Sequence, residues 1–130
     1  MPDATTTLRR VLLLDAVVTG VTGALLAFGG GVLARFLGLP AALLVGVGGG
    51  FLAFAALIAH VITRSRTVPA SVRFVAGFNA FWASISLLFL VWSSPQPTLL
   101  GYAFVALQAV IVALFALLQF RSLQDVQFKV

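Results

Sequence analysis

From Phe36 to Thr63, and again from Phe74 to Phe120, the sequence contains no Asp, Glu, Lys or Arg. Uncharged runs of that length constrain a chain severely. The hydrocarbon core of a bilayer is about 30 Å thick and takes roughly 20 apolar residues per helical span. Inside it the backbone amides must bond one another, which leaves helices or a closed barrel. The apolar residues here do not alternate with polar ones, so helices are predicted. Composition agrees: 62% of the residues are hydrophobic and 8% charged, against about 45–50% and about 25% in soluble domains.

Four spans fit the sequence: Leu8 to Phe28, Ala41 to Ile62, Phe74 to Trp92 and Leu99 to Phe120. Pro40 opens the second at a favoured helix-start position, and Ser93-Ser94-Pro95-Gln96-Pro97 introduces the fourth. The fold class expected is all-α, a membrane four-helix bundle forming one domain over residues 1–130. Between the first two spans, Gly29 to Leu39 reads either as a loop or as a short interfacial helix with Arg35 reaching water. An apolar run behind Arg9-Arg10 has the outline of a signal peptide. Asp15 interrupts it early and no small-residue cleavage site follows at the right distance, so a retained helix is expected. The residues around the arginine pair fit a twin-arginine signal poorly.

Orientation follows from the basic residues. With the N-terminus inside, Arg9, Arg10, Arg64, Arg66, Arg73, Arg121 and Lys129 are cytoplasmic and only Arg35 lies outside. That bias predicts an N-in/C-in protein of the bacterial cytoplasmic (inner) membrane. Trp92 and Tyr102 then fall at the outer interface, and Phe74 and Phe120 at the inner one. The net charge of +5 is dispersed in ones and twos, so nucleic acid is not an expected partner. The expected partners are the lipid bilayer and, through helix faces, a second copy or another membrane protein.

An internal repeat is visible. Sliding Pro40 onto Pro97 also places Arg64-Ser65 on Arg121-Ser122. Sliding Arg9 onto Arg73 places Asp15-Ala16 on Asn79-Ala80, Val21 on Ile85 and Thr22 on Ser86. Two tandem helical hairpins related by an axis along the membrane normal would produce this pattern. Small residues recur in every span and provide close-packing faces: Ala16, Gly20 and Ala24; Ala42, Gly46, Gly50 and Ala53; Ala76, Ala80 and Ser84; Ala106, Ala109, Ala113 and Ala116.

Polar residues within spans are the candidates for chemistry, because a central Asp costs about 2.5–3.5 kcal/mol on the insertion scale. At about 1.5 Å per residue from the nearest cytoplasmic arginine, Asp15 lies about 7.5 Å deep, His60 about 6 Å and Asn79 about 9 Å. The three share a layer, and a second layer contains Thr22, Gly50, Ser86 and Gln108. The candidate proton-handling or polar network is therefore Asp15, His60, Asn79 and Gln108. A carboxylate beside an imidazole in low dielectric favours the charged pair, and one beside Asn79 alone favours the neutral acid. Asn79 and Gln108 are also ordinary interhelical hydrogen-bonding groups. Thr19, Thr22, Ser84 and Ser86 can bond their own helix carbonyls, and Trp82 reads as bundle filling. With one histidine, no cysteine and no glutamate, neither a metal cluster nor a haem ligand pair is expected. No cofactor motif or catalytic motif is present, so an enzyme is not expected.

Leu8-Arg9-Arg10, Asp15, Gly20, Gly23, Asn79 with Trp82, Gln108-Ala109 and Gln119-Phe120 give the chain a resemblance to the uncharacterised small four-span bacterial integral membrane proteins of the DoxX-like size class. The resemblance covers nearly the whole chain and implies a multi-pass membrane fold without an assigned activity. The chain is also similar in length, span number and acid depth to small multidrug resistance transporters. That resemblance implies a proton and cation site at Asp15 in a dimer. The acid here is Asp where that family has Glu, and its Trp-Ser-Gly element is missing. The main expectation is a structural or accessory subunit acting through helix packing; the alternative is a proton-coupled small-molecule transporter using Asp15.

Overall fold

A computed structural model of the chain describes residues 4–64, 68–92 and 97–128. Four helices follow in order: α1 (Ala4–Leu37), α2 (Ala41–Thr63), α3 (Pro69–Trp92) and α4 (Leu99–Phe128). Each is long and apolar enough to cross a membrane. The readings that involve Ser65, Arg66, Ser93 to Gln96 and Lys129 lie outside the described residues.

The outer surface is apolar, unlike that of a soluble bundle, and a polar group is set within the core. Asp15, Thr19, Asn79, Ser86, Gln119 and Ser122 are buried, while Phe28 and Leu99 are each 87% exposed and many other large apolar side chains face outward. In water such a surface would drive association; in lipid it is the solvated face.

α1 does not stop at Phe28. It continues through Gly29-Gly30-Gly31 to Leu37, and the expected interfacial segment is its last turns. Each helical glycine costs about 0.5–1 kcal/mol relative to alanine. Close approach offsets that cost at Gly30, where a Cβ would come within 2.9 Å of Val45. The helix ends at Gly38, whose φ of 66° suits glycine and whose N–H donates to the Ala34 carbonyl at 2.9 Å. Thr98 then pins the α1 terminus to the start of α4: its N–H donates to the Leu37 carbonyl at 3.1 Å and its hydroxyl to the Phe36 carbonyl at 2.6 Å.

α1 packs on α2 and on α4, and α3 packs on α4, whereas the α2 and α3 backbones approach closely at only a few points. The α1–α2 crossing passes through Gly23 and Gly48. A Cβ on Gly48 would overlap the Ala27 amide, and one on Gly23 would come within 2.9 Å of the Gly48 carbonyl. The small-residue faces read from sequence are used in part: Ala76, Ala109 and Ala116 are buried. Gly46 and Gly50 meet nothing within 4 Å, and Ala80, Ser84 and Ala113 are exposed. The core forms two apolar clusters. One gathers Leu8, Leu12, Phe54, Ile58, Val72, Val75 and Leu123; the other gathers Leu26, Leu37, Leu39, Leu44 and Val105.

Candidate functional site

Asp15 lies on the buried stripe of α1 that includes Leu8, Leu12, Thr19, Gly23 and Leu26. Spacings of three and four residues keep these positions on one helix face. The same rule brings Asn79 inward on α3, in line with Val72, Val75, Ala76, Ala83 and Ser86. On α4, Ala109, Ala116, Gln119, Ser122 and Leu123 are buried. Three helix faces therefore deliver one carboxylate and two primary amides to the same point.

The geometry is closed. Thr19 Oγ1 donates to Asp15 Oδ1 at 2.8 Å, and Asn79 Nδ2 and Gln119 Nε2 donate to Asp15 Oδ2 at 2.7 and 2.6 Å. Asn79 Nδ2 also donates to Gln119 Oε1 at 3.1 Å. Asp15 and Gln119 are 0% exposed and Asn79 3%. A carboxylate offers only acceptors, and here both oxygens are taken by donors from α1, α3 and α4. Thr19 serves the Asp15 side chain, rather than the carbonyl of its own helix expected from sequence. A net intramolecular hydrogen bond contributes about 0.5–1.5 kcal/mol, and an unpartnered buried group costs about 1–3 kcal/mol.

His60 lies elsewhere. The depth counted from sequence matches that of Asp15, but α2 turns Phe54, Ile58 and Val61 inward and leaves His60 exposed. It lines a recess with Arg64 and Ser71 between α2 and α3. Depth along a helix can be counted from sequence; rotation about its axis is set by packing. Gln108 also stands apart from Asp15. It accepts from Trp82 Nε1 at 3.0 Å and donates to the Val105 carbonyl at 3.1 Å. Of its expected layer, Ser86 joins it in lining a mainly apolar cavity of about 110 Å³, while Gly50 sits on the exposed side of α2.

Gln119 is the partner that depth counting overlooks. Two residues before Arg121, it reads as the end of a span, but α4 runs on to Phe128 and buries Ser122 and Leu123. The signal available in the sequence was the Ala109, Ala116, Gln119, Ser122 face, whose spacings are helical.

Arg9 makes a further polar contact, at the rim of the bundle. Its guanidinium donates from Nη1 to the Ile62 carbonyl and from Nη2 to the Arg64 carbonyl, both at 2.6 Å. Ile62 lies in the last turn of α2 and Arg64 caps it, where carbonyls lack helical partners and the helix dipole favours a cation. Arg9 therefore latches α2 to α1.

Among the described residues no group of three or more His, Cys, Asp or Glu side chains is placed to hold a metal ion. No protein-family profile, curated protein or solved structure matches the chain.

Proposed function

We propose that the protein is a small multi-pass integral membrane protein with a structural or accessory role, and that Asp15, Thr19, Asn79 and Gln119 form the polar clamp that fixes its bundle. The observation that carries this reading is the enclosure of Asp15, fully buried with donors on both oxygens. A transport carboxylate must exchange protons or substrate with water on each cycle. A clamp needs only to stay satisfied.

In this reading the chain lies in the bacterial cytoplasmic membrane with both termini inside. Arg9 to Arg35 spans about 39 Å of helix, enough for both arginines to reach headgroup level in a bilayer about 40–45 Å thick. The tandem-hairpin reading draws support from the same cluster. Asp15 and Asn79 are the positions matched when Arg9 is laid on Arg73, and they hydrogen-bond each other, as equivalent residues do near a twofold axis. Since the sequence has no cysteine, single cysteines introduced at Thr5, Arg35 and Gln124 report orientation cleanly. Only the one at Arg35 should react from outside intact cells.

The alternative is a proton-coupled small-molecule transporter using Asp15. Reconstitution of Asp15→Asn in proteoliposomes separates the two. A clamp predicts less folded protein and no change in proton flux; a transporter predicts normal folding with loss of proton-linked substrate movement. Co-purification in mild detergent tests the accessory role, which recovery of the protein alone would count against.

A further inference from the structure

The open side of the bundle is the seam between α2 and α3. A twofold repeat would pack α2 on α3 as α4 packs on α1, yet the α2 and α3 backbones stay apart. Side chains bridge the seam at its middle, with Phe54 against Phe78 at 4.4 Å and Phe51 edge-on to Trp82 at 5.3 Å. The two sides of this bridge differ in chemistry. Toward the end of α2, a recess of about 530 Å³ is lined by His60, Arg64 and Ser71 among apolar neighbours, with no acidic residue among the described residues that line it. Toward the start of α2, a groove of about 370 Å³ is lined by Ala42, Gly46, Gly50, Phe78 and Trp82. A Cβ on Gly46 or Gly50 would meet nothing within 4 Å. Packing within the chain does not require glycine there, and the missing side chains give the groove its depth.

We propose that this seam holds one anionic phospholipid. Its phosphate sits in the recess of His60, Arg64 and Ser71, and an acyl chain passes over Phe78 into the groove floored by Gly46 and Gly50. Charge and length both fit. Arg64 is exposed, and Ser71 adds a hydroxyl donor to the same recess. From Arg64 to Gly50 is about 21 Å along α2 and to Gly46 about 27 Å, so the roughly 20–22 Å depth of one leaflet with its headgroups reaches the near end of the groove. In the N-in orientation the basic end faces the cytoplasmic leaflet, where anionic lipid attracts juxtamembrane Lys and Arg. A second copy seated on the same seam about a parallel twofold axis would bring two Arg64–His60 ends to one level, where like charges repel. The proposal rests on the membrane reading above, but not on any role for Asp15.

The test is native mass spectrometry of the full chain released from vesicles of equal phosphatidylglycerol and phosphatidylcholine. The expected result is a monomer retaining one phosphatidylglycerol in preference to phosphatidylcholine. Arg64→Gln should lower the phosphatidylglycerol adduct about fivefold, and Arg35→Gln at the opposite end should leave it unchanged. Gly46→Leu with Gly50→Leu should remove adducts of both lipids. Equal retention of the two lipids by the unmodified chain, or an Arg64→Gln adduct equal to that of the parent, overturns the proposal. So does a lipid-free dimer that Gly46→Leu dissociates, which assigns the seam to a second copy. Loss of the Asp15 clamp, by contrast, lowers thermal stability in every lipid and leaves the Arg64 preference in the folded fraction.

Discussion

Asn79 donates a 2.7 Å hydrogen bond to Asp15 across the bundle, joining α1 and α3, two helices whose backbones make no close approach. Gln119 completes the junction from α4 at 2.6 Å. One carboxylate thereby couples three of the four helices. The uncharged alternative would be leucine, which packs on lipid as well as on protein and so specifies less.

Asp15→Ala should destabilise the bundle by about 2–4 kcal/mol, because it orphans the buried amides of Asn79 and Gln119. Unfolding by steric trapping in bicelles measures this. A change below about 0.5 kcal/mol, the size of an ordinary surface substitution, would remove the clamp from the energetics of the fold.

Asn79 and Gln119 share an acceptor and touch each other, so their effects should not add. A double-mutant cycle with Asn79→Ala and Gln119→Ala is expected to return a coupling of about 0.5–2 kcal/mol. Pairing either with Gln108→Ala should return close to zero, since Gln108 bonds Trp82 and Val105 instead. Strict additivity of the first pair would contradict the geometry.

The Gly23–Gly48 crossing predicts a contrast between neighbours. Gly48→Ala forces a Cβ into the Ala27 amide and should cost about 1–3 kcal/mol, whereas Gly49→Ala, facing open space, should be neutral or stabilising through its better helix propensity. Thermal melts in one detergent compare the two. Equal effects would mean that the helices cross elsewhere.

Arg9 and Arg10 are adjacent but not equivalent. Arg9→Gln gives up two charge-assisted contacts with the end of α2 and should cost about 1–2 kcal/mol. Arg10, which is exposed, should tolerate the same change. Protease susceptibility near Arg64 provides a local readout, rising for Arg9→Gln alone if the latch holds α2 in place.

The uncharged runs and their length dictated four apolar helices, because a bilayer permits little else and because helix length is a direct count of residues. Pro40 before α2 and Asp15 as the one acid within the spans were equally legible, as was the depth shared by Asp15 and Asn79. Rotation was not. Whether His60 meets Asp15 depends on which face of α2 turns inward, and packing of Phe54, Ile58 and Val61 against α1 and α3 turns His60 out. Gln119 was hidden for a related reason. Arg121 looks like the end of a span, but α4 continues past it and buries Leu123 against Leu8 and Leu12, carrying Gln119 to the bundle centre. The glycine faces show the same division. Sequence gave their spacing, and the backbone crossing at Gly23 and Gly48 decided which were used. Hydropathy is a property of a segment and can be read along the chain. Contact is a property of several segments at once, and only tertiary packing fixed the rotations that close the Asp15 clamp and leave the α2–α3 seam open.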